Sequence, residues 1–322
     1  MDKSTHKVEV FIINQIETCP NSDNLDLIIH KGFQTVVRKG EFKIGDKAVF
    51  IGPDSLVLTS RPEFAFLASL GIQVRIKVKK LRGVVSMGLL IRAPEWAEEE
   101  DNLAAYFGVE HYEPELKFTT QDENVGAPSG YYPKYDIDSI RGNMDVFKEG
   151  ELVICLEKIN GCFSRYVWVE QMYVGSRTNW KKQKDTNLWW QAFKNTPSIE
   201  IFCKDNPNVV LCGEVVGQVK HFKYGRISPG FLAFDIMKEG KWLNVKEFLE
   251  ICQQYSIPTV PILGLDISFN WSTIELMAEG PSVVEGATNI REGVVIKSMI
   301  ERWDERIGRV ILKLVSNNYL SK

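Results

Sequence analysis

Through the first ninety residues, apolar and polar positions alternate with a period of two, and the runs are short. Residues 8–13, 25–29, 33–37 and 47–51 read as strands. Lys31-Gly32 and Gly45-Asp46 supply the turns between them. Residues 62–70, with Pro62 at the first turn, predict a short helix. Residues 74–79 alternate cleanly, with Val74, Ile76 and Val78 inward and Arg75, Lys77 and Lys79 outward; Arg82 extends the positive charge. Residues 87–91 close the series. Five or six short strands and one helix predict a small β-barrel of the OB type. Its basic strand suits a nucleic-acid backbone and serves equally as the solvated face of a half-buried strand.

The pattern changes after residue 94. Glu98-Glu99-Glu100-Asp101 is acidic, and residues 103–108 make a helical turn closed by Gly108. Gly126, Pro128, Gly130 and Pro133 punctuate a stretch poor in apolar residues. The sequence therefore divides into domains at 1–115 and 131–322, with a connector at 112–130. The second domain has apolar runs at 152–156, 165–169, 172–175, 209–216, 231–236, 293–297 and 310–314, and helical patterns at 187–194 and 245–255. Strands with interposed helices, without a regular βαβ repeat, predict an α+β domain.

Composition narrows the function classes. The 322 residues hold 39 basic and 42 acidic side chains, which disfavours a strongly basic nucleic-acid coat protein but permits a local basic groove. Six cysteines show no C-x-x-C pair and sit in apolar surroundings, as reduced buried thiols do. The four histidines make no zinc-ligand spacing with them. No signal-peptide core or membrane-length apolar run is present, so an intracellular enzyme, or a virus-encoded one, is expected, with no membrane partner.

The candidate chemistry lies in the second domain. The run Leu152-Val153-Ile154-Cys155-Leu156-Glu157 leads straight into Lys158-Ile159-Asn160-Gly161, placing an amine between a buried strand and a turn. A lysine partly desolvated among other cations can act as a nucleophile. Charges recur inside other apolar runs: Arg177, Glu214, Asp235, Glu292, Lys297 and Lys313. Buried charges need partners or a ligand, so this set predicts a cleft between two sheets that grips phosphates, metal or ribose. No Gly-x-x-x-x-Gly-Lys-Ser/Thr loop and no Gly-x-Gly-x-x-Gly after a strand occurs, so a different nucleotide fold is implied.

Six segments in order resemble the motifs of ATP-dependent RNA ligases in the covalent nucleotidyltransferase superfamily. They are Lys158-Ile159-Asn160-Gly161, Ser176-Arg177, Cys212–Gly217, Phe234-Asp235-Ile236, Glu292–Lys297 and Ile311–Ser316. The order of domains, Tyr112-Glu113-Pro114 and the Tyr319-Leu320 ending resemble the nick-sealing branch first recognised in a radiation-resistant bacterium; DNA ligases carry their OB domain after the catalytic one. The resemblance implies an ATP-grasp-like ligase/capping domain, with two antiparallel sheets flanking a nucleotide cleft. It implies ATP with Mg2+ or Mn2+, and a nicked RNA duplex or RNA/DNA hybrid as substrate for a monomer. Lys158 would be the nucleophile, and Lys297 and Lys313 would neutralise phosphate charge. Glu292 and Asp235 would hold metal. Glu214 and Arg177 would hold the ribose, Phe234 would stack on adenine, Glu157 would lie near the base, and Asn160 and Gly161 would complete the nucleotide site. The superfamily often has two lysines one residue apart in the last motif. Here Lys313 stands with Ile311 and Val315, and Arg309 is the nearest substitute. Alternatives are a capping-type guanylyltransferase, a degenerate RNA-binding protein and an interaction protein; the last gives no reason for charges in five apolar strands.

Overall fold

The computed structural model describes residues 7–112, 124–130, 132, 135–217 and 222–321. Most of the expected connector, at 113–123, lies outside them. The chain forms two compact units. One contains residues 1–116 with 141–144 and 320–322, and the other residues 117–140 and 145–319.

In the first unit, Val8–Ile12, Lys47–Ile51 and Leu89–Arg92 make one antiparallel sheet. Ile16–Thr18, Leu25–His30 and Phe33–Arg38 make a second, and Ser55–Leu58, Gln73–Arg75 and Glu110–His111 a third. The Lys31-Gly32 turn has positive φ at both residues, 46° and 77°, which matches the right-handed twist of its strands. Among the described residues the strands are distributed over several ladders rather than one closed barrel. Val8, Val10, Val49, Ile51, Phe64 and Phe107 share one core of this unit. Pro62–Leu70 is a 3-10 helix rather than an α-helix, because Phe64 is its only buried residue and no apolar stripe holds it. The expected strand at 74–79 splits into Gln73–Arg75 and Lys79–Leu81. Arg75 turns to Asp54, at 2.8 and 2.6 Å, and lies over the Tyr112 ring. It is thus withdrawn from the basic face, which keeps exposed Lys77, Lys79, Lys80 and Arg82.

The second unit is two sheets face to face. The larger runs in the order Asn124–Val125, Trp180–Lys181, Gln171–Gly175, Cys162–Val169, Val210–Val216, Gly230–Lys238, Lys241–Trp242, antiparallel throughout. The smaller runs Asp138–Ser139, Ile311–Val315, Gly293–Ser298, Leu152–Glu157, Ile262–Ser268. Its one parallel pairing is at the Asp138–Ser139 edge. Ile154 and Leu156 meet Val216 and Leu232 between the sheets, and Ile311 meets Phe163, Val167 and Cys212 there. The outer faces carry helices. Leu188–Lys194, Ser198–Asp205 and Val245–Gln254 cover Tyr166, Phe231 and Ile236, while Trp271–Ala278 covers Val153, Cys155 and Val294. Asn187 caps the first of these helices, and Asn244 with Glu247 forms a capping box on the third. All six cysteines are free thiols, five of them buried.

One irregularity sets up the site. Cys212 pairs with Asp235, but Gly213 pairs with Ala233, so Phe234 is an extra residue in its strand. Before the bulge Phe231 and Ala233 face the helices; after it Ile236 does. Phe234 and Asp235, though consecutive, therefore both face the other sheet. Gly213 has no room for a side chain, since a Cβ there would lie 2.2 Å from Phe231 and 2.3 Å from the Leu232 carbonyl. Gly213→Ala should destabilise the protein by about 2–3 kcal/mol through overpacking. A thermal melt unchanged by this substitution would show that the bulge tolerates a side chain.

Candidate active site

Lys158 is placed by backbone pairing. Leu152–Glu157 runs antiparallel to Gly293–Ser298, with Glu157 opposite Val294. The Lys158 N–H then donates to the Gly293 carbonyl at 2.9 Å. This puts the ends of two neighbouring strands together, and Lys158 Nζ lies 2.5 Å from Glu292 Oε1. Glu292 is buried and Lys158 half-buried, a geometry in which a charge-assisted bond is strong.

Lys313 lies close enough to this amine for the two charges to repel, and Arg177 lies equally within reach of Lys313. Lys313, half-buried on Ile311–Val315, has a pKa below the ordinary lysine value. Burial is the main cause, and repulsion from Lys158 and Arg177 adds to it against the pull of Asp138 and Asp136. Arg177 stands at the turn after Gln171–Gly175, bonded to Asp136 at 2.9 Å, with its guanidinium 5.9 Å from the Phe163 ring. Lys158, Lys313 and Arg177, from three segments far apart in sequence, thus form one positive cluster beside Glu292.

The turn after Lys158 is held from both sides. The Asn160 N–H donates to the Tyr224 hydroxyl at 2.7 Å, and Asn160 Nδ2 donates to the Tyr319 hydroxyl at 2.8 Å. Asn160 Oδ1 is buried without a hydrogen-bond partner among the described residues. Gly161 packs so closely on the next strand that a Cβ would lie 2.5 Å from the Val215 carbonyl and 3.0 Å from Glu214 Oε2. That contact sets the Glu214 carboxylate beside the motif. Glu157 immediately precedes Lys158 and is buried. Its Oε2 accepts from the Val283 N–H at 2.8 Å, and its buried Oε1 has no partner among the described residues. Phe234 is half-buried, its ring 5.0 Å from Tyr135 and 5.9 Å from Phe163.

Asp235 and Lys297 depart from expectation. Neither faces an open cleft. Lys297 Nζ bonds Asp235 Oδ1 at 2.9 Å, Asp235 Oδ2 accepts from the Tyr135 hydroxyl at 2.7 Å, and Arg309 Nη1 makes an ion pair with the same oxygen at 2.7 Å. Arg309 also chelates Glu301, and Lys297 lies 3.6 Å from the same carboxylate. Both Asp235 oxygens are taken and the carboxylate is fully buried, so it cannot serve as a metal ligand in this arrangement. Lys297 is neutralised before any phosphate arrives. Arg309, the nearest substitute for a second motif lysine, is engaged in the same cage. Burial raises the Asp235 pKa, but Arg309 and Lys297 outweigh it and hold the carboxyl below its ordinary value. Of the two expected metal ligands only Glu292 faces Lys158, and no cluster of three or more His, Cys, Asp or Glu exists among the described residues.

A family model for RNA ligases matches residues 151–315, just over half of the chain. The chain belongs to the RNA ligase family. An OB-fold domain model matches residues 8–93 of this ligase-family chain. Its fold is similar to solved structures of a Naegleria gruberi RNA ligase. A variant of that protein with ATP and Mn is 23% identical with a TM-score of 0.80, covering 97% of this chain and 98% of that one. A variant with AMP and Mn is 22% identical with a TM-score of 0.81, and the form with pyrophosphate is 24% identical with a TM-score of 0.77; each covers 98% of both chains. No curated protein matches the chain.

Tyr135 and Tyr224 take places around this site that the motifs did not reveal, and Tyr319, noted only for the chain's ending, bonds Asn160 there. Their signal was weak, because single aromatics outside a motif read as core. Lys181 is buried in the short strand Trp180–Lys181 over the Trp189 ring, while Lys182 and Lys184 are exposed.

The Asp235 cage yields a pH-dependent prediction. A carboxyl whose pKa is lower in the folded than in the unfolded state stabilises the fold above its unfolded value, and that stabilisation fades as pH falls toward the folded value. Asp235→Asn should cost about 3–5 kcal/mol at neutral pH, by leaving buried cations short of a partner. The gap between parent and variant should narrow below the ordinary carboxyl value of 3.8. Melting curves of both proteins from pH 7 to pH 3 measure it; a gap constant across that range would rule out the ionised carboxylate as the cause.

Proposed function

We propose that this member of the RNA ligase family uses ATP to seal nicks. It would adenylate itself on Lys158, pass AMP to a 5′-phosphate, and join that end to a neighbouring 3′-hydroxyl in an RNA duplex or RNA/DNA hybrid. The observation that carries the reading is the convergence of Lys158, Glu292, Lys313 and Arg177, from both sheets, in a chain whose family is established. A lone half-buried lysine among cations and one carboxylate suits covalent catalysis on a phosphoryl centre.

In the first step the Lys158 amine attacks the α-phosphorus of ATP. The N–P bond forms, the bond to the bridging oxygen breaks, and pyrophosphate leaves with that oxygen. Lys158 must first give up a proton, and Glu292 Oε1 at 2.5 Å is the acceptor in place. Lys313 and Arg177 then oppose the negative charge that builds on the equatorial oxygens. In the second step the 5′-phosphate oxygen displaces the lysine nitrogen from phosphorus. In the third the 3′-hydroxyl loses its proton, attacks the 5′-phosphorus and expels AMP.

The residues fit a nucleotide. Glu157 and Asn160 each keep a buried acceptor oxygen without a partner among the described residues, and base amines and sugar hydroxyls are the donors that such oxygens need. Glu214, beside Gly161, suits the ribose, and the half-exposed Phe234 ring suits the base. A divalent ion fits through Glu292 alone. Mg2+-type ions take one or two carboxylates and draw their other ligands from substrate phosphates and water, where they supply charge neutralisation. Residues 1–115 are assigned to holding the duplex by backbone and shape, and residues 131–322 to nucleotidyl transfer.

The test is covalent labelling. With ATP and Mg2+ or Mn2+ the parent protein should gain the mass of one AMP on Lys158, and Lys158→Ala should gain none. GTP should label poorly; preferential labelling by GTP would favour a capping activity. Parallel sealing assays on all-RNA, mixed and all-DNA nicks assign the strand composition. A protein that acquires no nucleotide under any of these conditions is not a ligase of this mechanism.

A further inference from the structure

Arg165 is a buried cation that no carboxylate among the described residues neutralises. Only 7% of its surface is open, its Nε has no hydrogen-bond partner, and no carboxylate among the described residues pairs with it. The other buried basic residues all have an oxygen partner. Lys297 has Asp235, Arg291 has the carbonyls of Met277, Glu279 and Pro281, Lys181 has Asn124, and Arg141 has the Gly32 carbonyl. Removing a guanidinium from water without a counter-charge is costly, and burial pulls the Arg165 pKa down accordingly.

The fold nonetheless makes room for this side chain. Arg165 sits opposite Gly175 in the sheet, and a Cβ on Gly175 would lie 3.0 Å from Arg165 Cγ and Nε and 2.8 Å from Trp180. The guanidinium lies 4.3 Å from the Trp180 ring and 5.9 Å from the Tyr132 ring, and its Nε has no acceptor among the described residues. Alternation along Cys162–Val169 puts Arg165 on the same inward face as Phe163, the residue next to Arg177. Phe163 thus neighbours both Arg165, along its strand, and the Arg177 guanidinium.

We propose that Arg165, backed by Trp180 and admitted by Gly175, is a subsite for a phosphate group of the reactants. The proposal rests on the ligase reading for what brings the phosphate. Two sources share that chemistry: a phosphodiester of the strand being joined, and the outer phosphates of the nucleotide. A planar guanidinium whose Nε is free offers either one a charge-assisted pair of bonds.

The experiment compares the parent with Arg165→Met and Arg165→Lys. Removing an unpaired buried charge should leave the melting temperature of Arg165→Met equal to or above the parent's. Binding should weaken about tenfold or more for the group that occupies the subsite. Anisotropy titrations with a 5′-phosphorylated nicked RNA duplex, without ATP, read the strand source. Calorimetric titration with pyrophosphate and the KM for ATP in Lys158 labelling read the nucleotide source. Arg165→Lys should fall between parent and Arg165→Met in whichever arm responds. The binding arms need no catalysis, so they decide the subsite even if the parent takes up no AMP. If Arg165→Met binds both the duplex and pyrophosphate as well as the parent does, or melts several degrees lower with binding intact, Arg165 is a packing residue and the proposal is overturned.

Discussion

Asp235 can stay ionised in an apolar space only because cations reach it from outside its own sheet. Lys297 comes from the facing sheet and Arg309 from the hairpin before Ile311–Val315, while Glu301 balances the excess positive charge. The cage is a cross-brace. Pulling the sheets apart would leave charges of both signs uncompensated, a far steeper penalty than sliding apolar side chains past one another. The separation of the sheets at this point is thereby fixed, and with it the distance from the Phe234 ring to the strands bearing Lys158 and Lys313. The β-bulge makes this possible by turning two consecutive residues, ring and carboxylate, to the same side.

Much of this was legible in the sequence, for a physical reason. A charge inside an apolar strand is expensive, so its presence marks a constraint. Lys158, Glu292, Lys313 and Arg177 were all found this way, and the structure brings them together. What one chain of residues could not disclose was which charges cancel each other. Asp235 and Lys297 carry the same surprise value as Glu292 and Lys158, yet they face inward to one another. Strict alternation would even have sent Phe234 and Asp235 to opposite faces, because a bulge has no marker in a run such as Phe231–Ile236. The helix Ser198–Asp205 did have a signal, with Ile199, Phe202 and Cys203 at helical spacing on its buried side. The strand Ile262–Ser268 had a weaker one, Leu263, Leu265 and Ile267 at alternate positions, of which only Leu263 and Ile267 pack on the core while none is fully buried.

The two sides of the interior answer to different requirements. Around Asp235 both carboxylate oxygens and the Lys297 amine are paired within the protein. Around Lys158 two acceptors are left open among the described residues, the Asn160 Oδ1 and one oxygen of Glu157, and the Arg165 Nε is left open on the larger sheet. Satisfied networks rigidify, and unsatisfied buried groups mark where something else must bind. The braced side holds the strands rigidly enough for the open groups to keep their positions. Asn160 illustrates the coupling, since Tyr224 fixes its main chain and Tyr319 its amide nitrogen, leaving the amide oxygen as the free end.

The lone lysine of the last motif follows from the same division. Arg309, Ile311, Lys313 and Val315 occupy one parity of the chain. Ile311 is packed against Phe163, Val167 and Cys212 between the sheets, so a second ammonium there would be buried beside the cations already gathered on Asp235. Arg309, two residues earlier, is spoken for by Asp235 and Glu301. Lys313 is therefore the only cation on that strand left to face Lys158, and the second must come from elsewhere. Arg177 meets the need from the opposite sheet: it is close enough to Lys313 for the two to repel, and exposed enough to reach an incoming anion. Supplying the two cations from different sheets makes the charge at the site depend on the spacing that the Asp235 cage maintains, so the structural brace and the chemistry at Lys158 are not separable parts of the molecule.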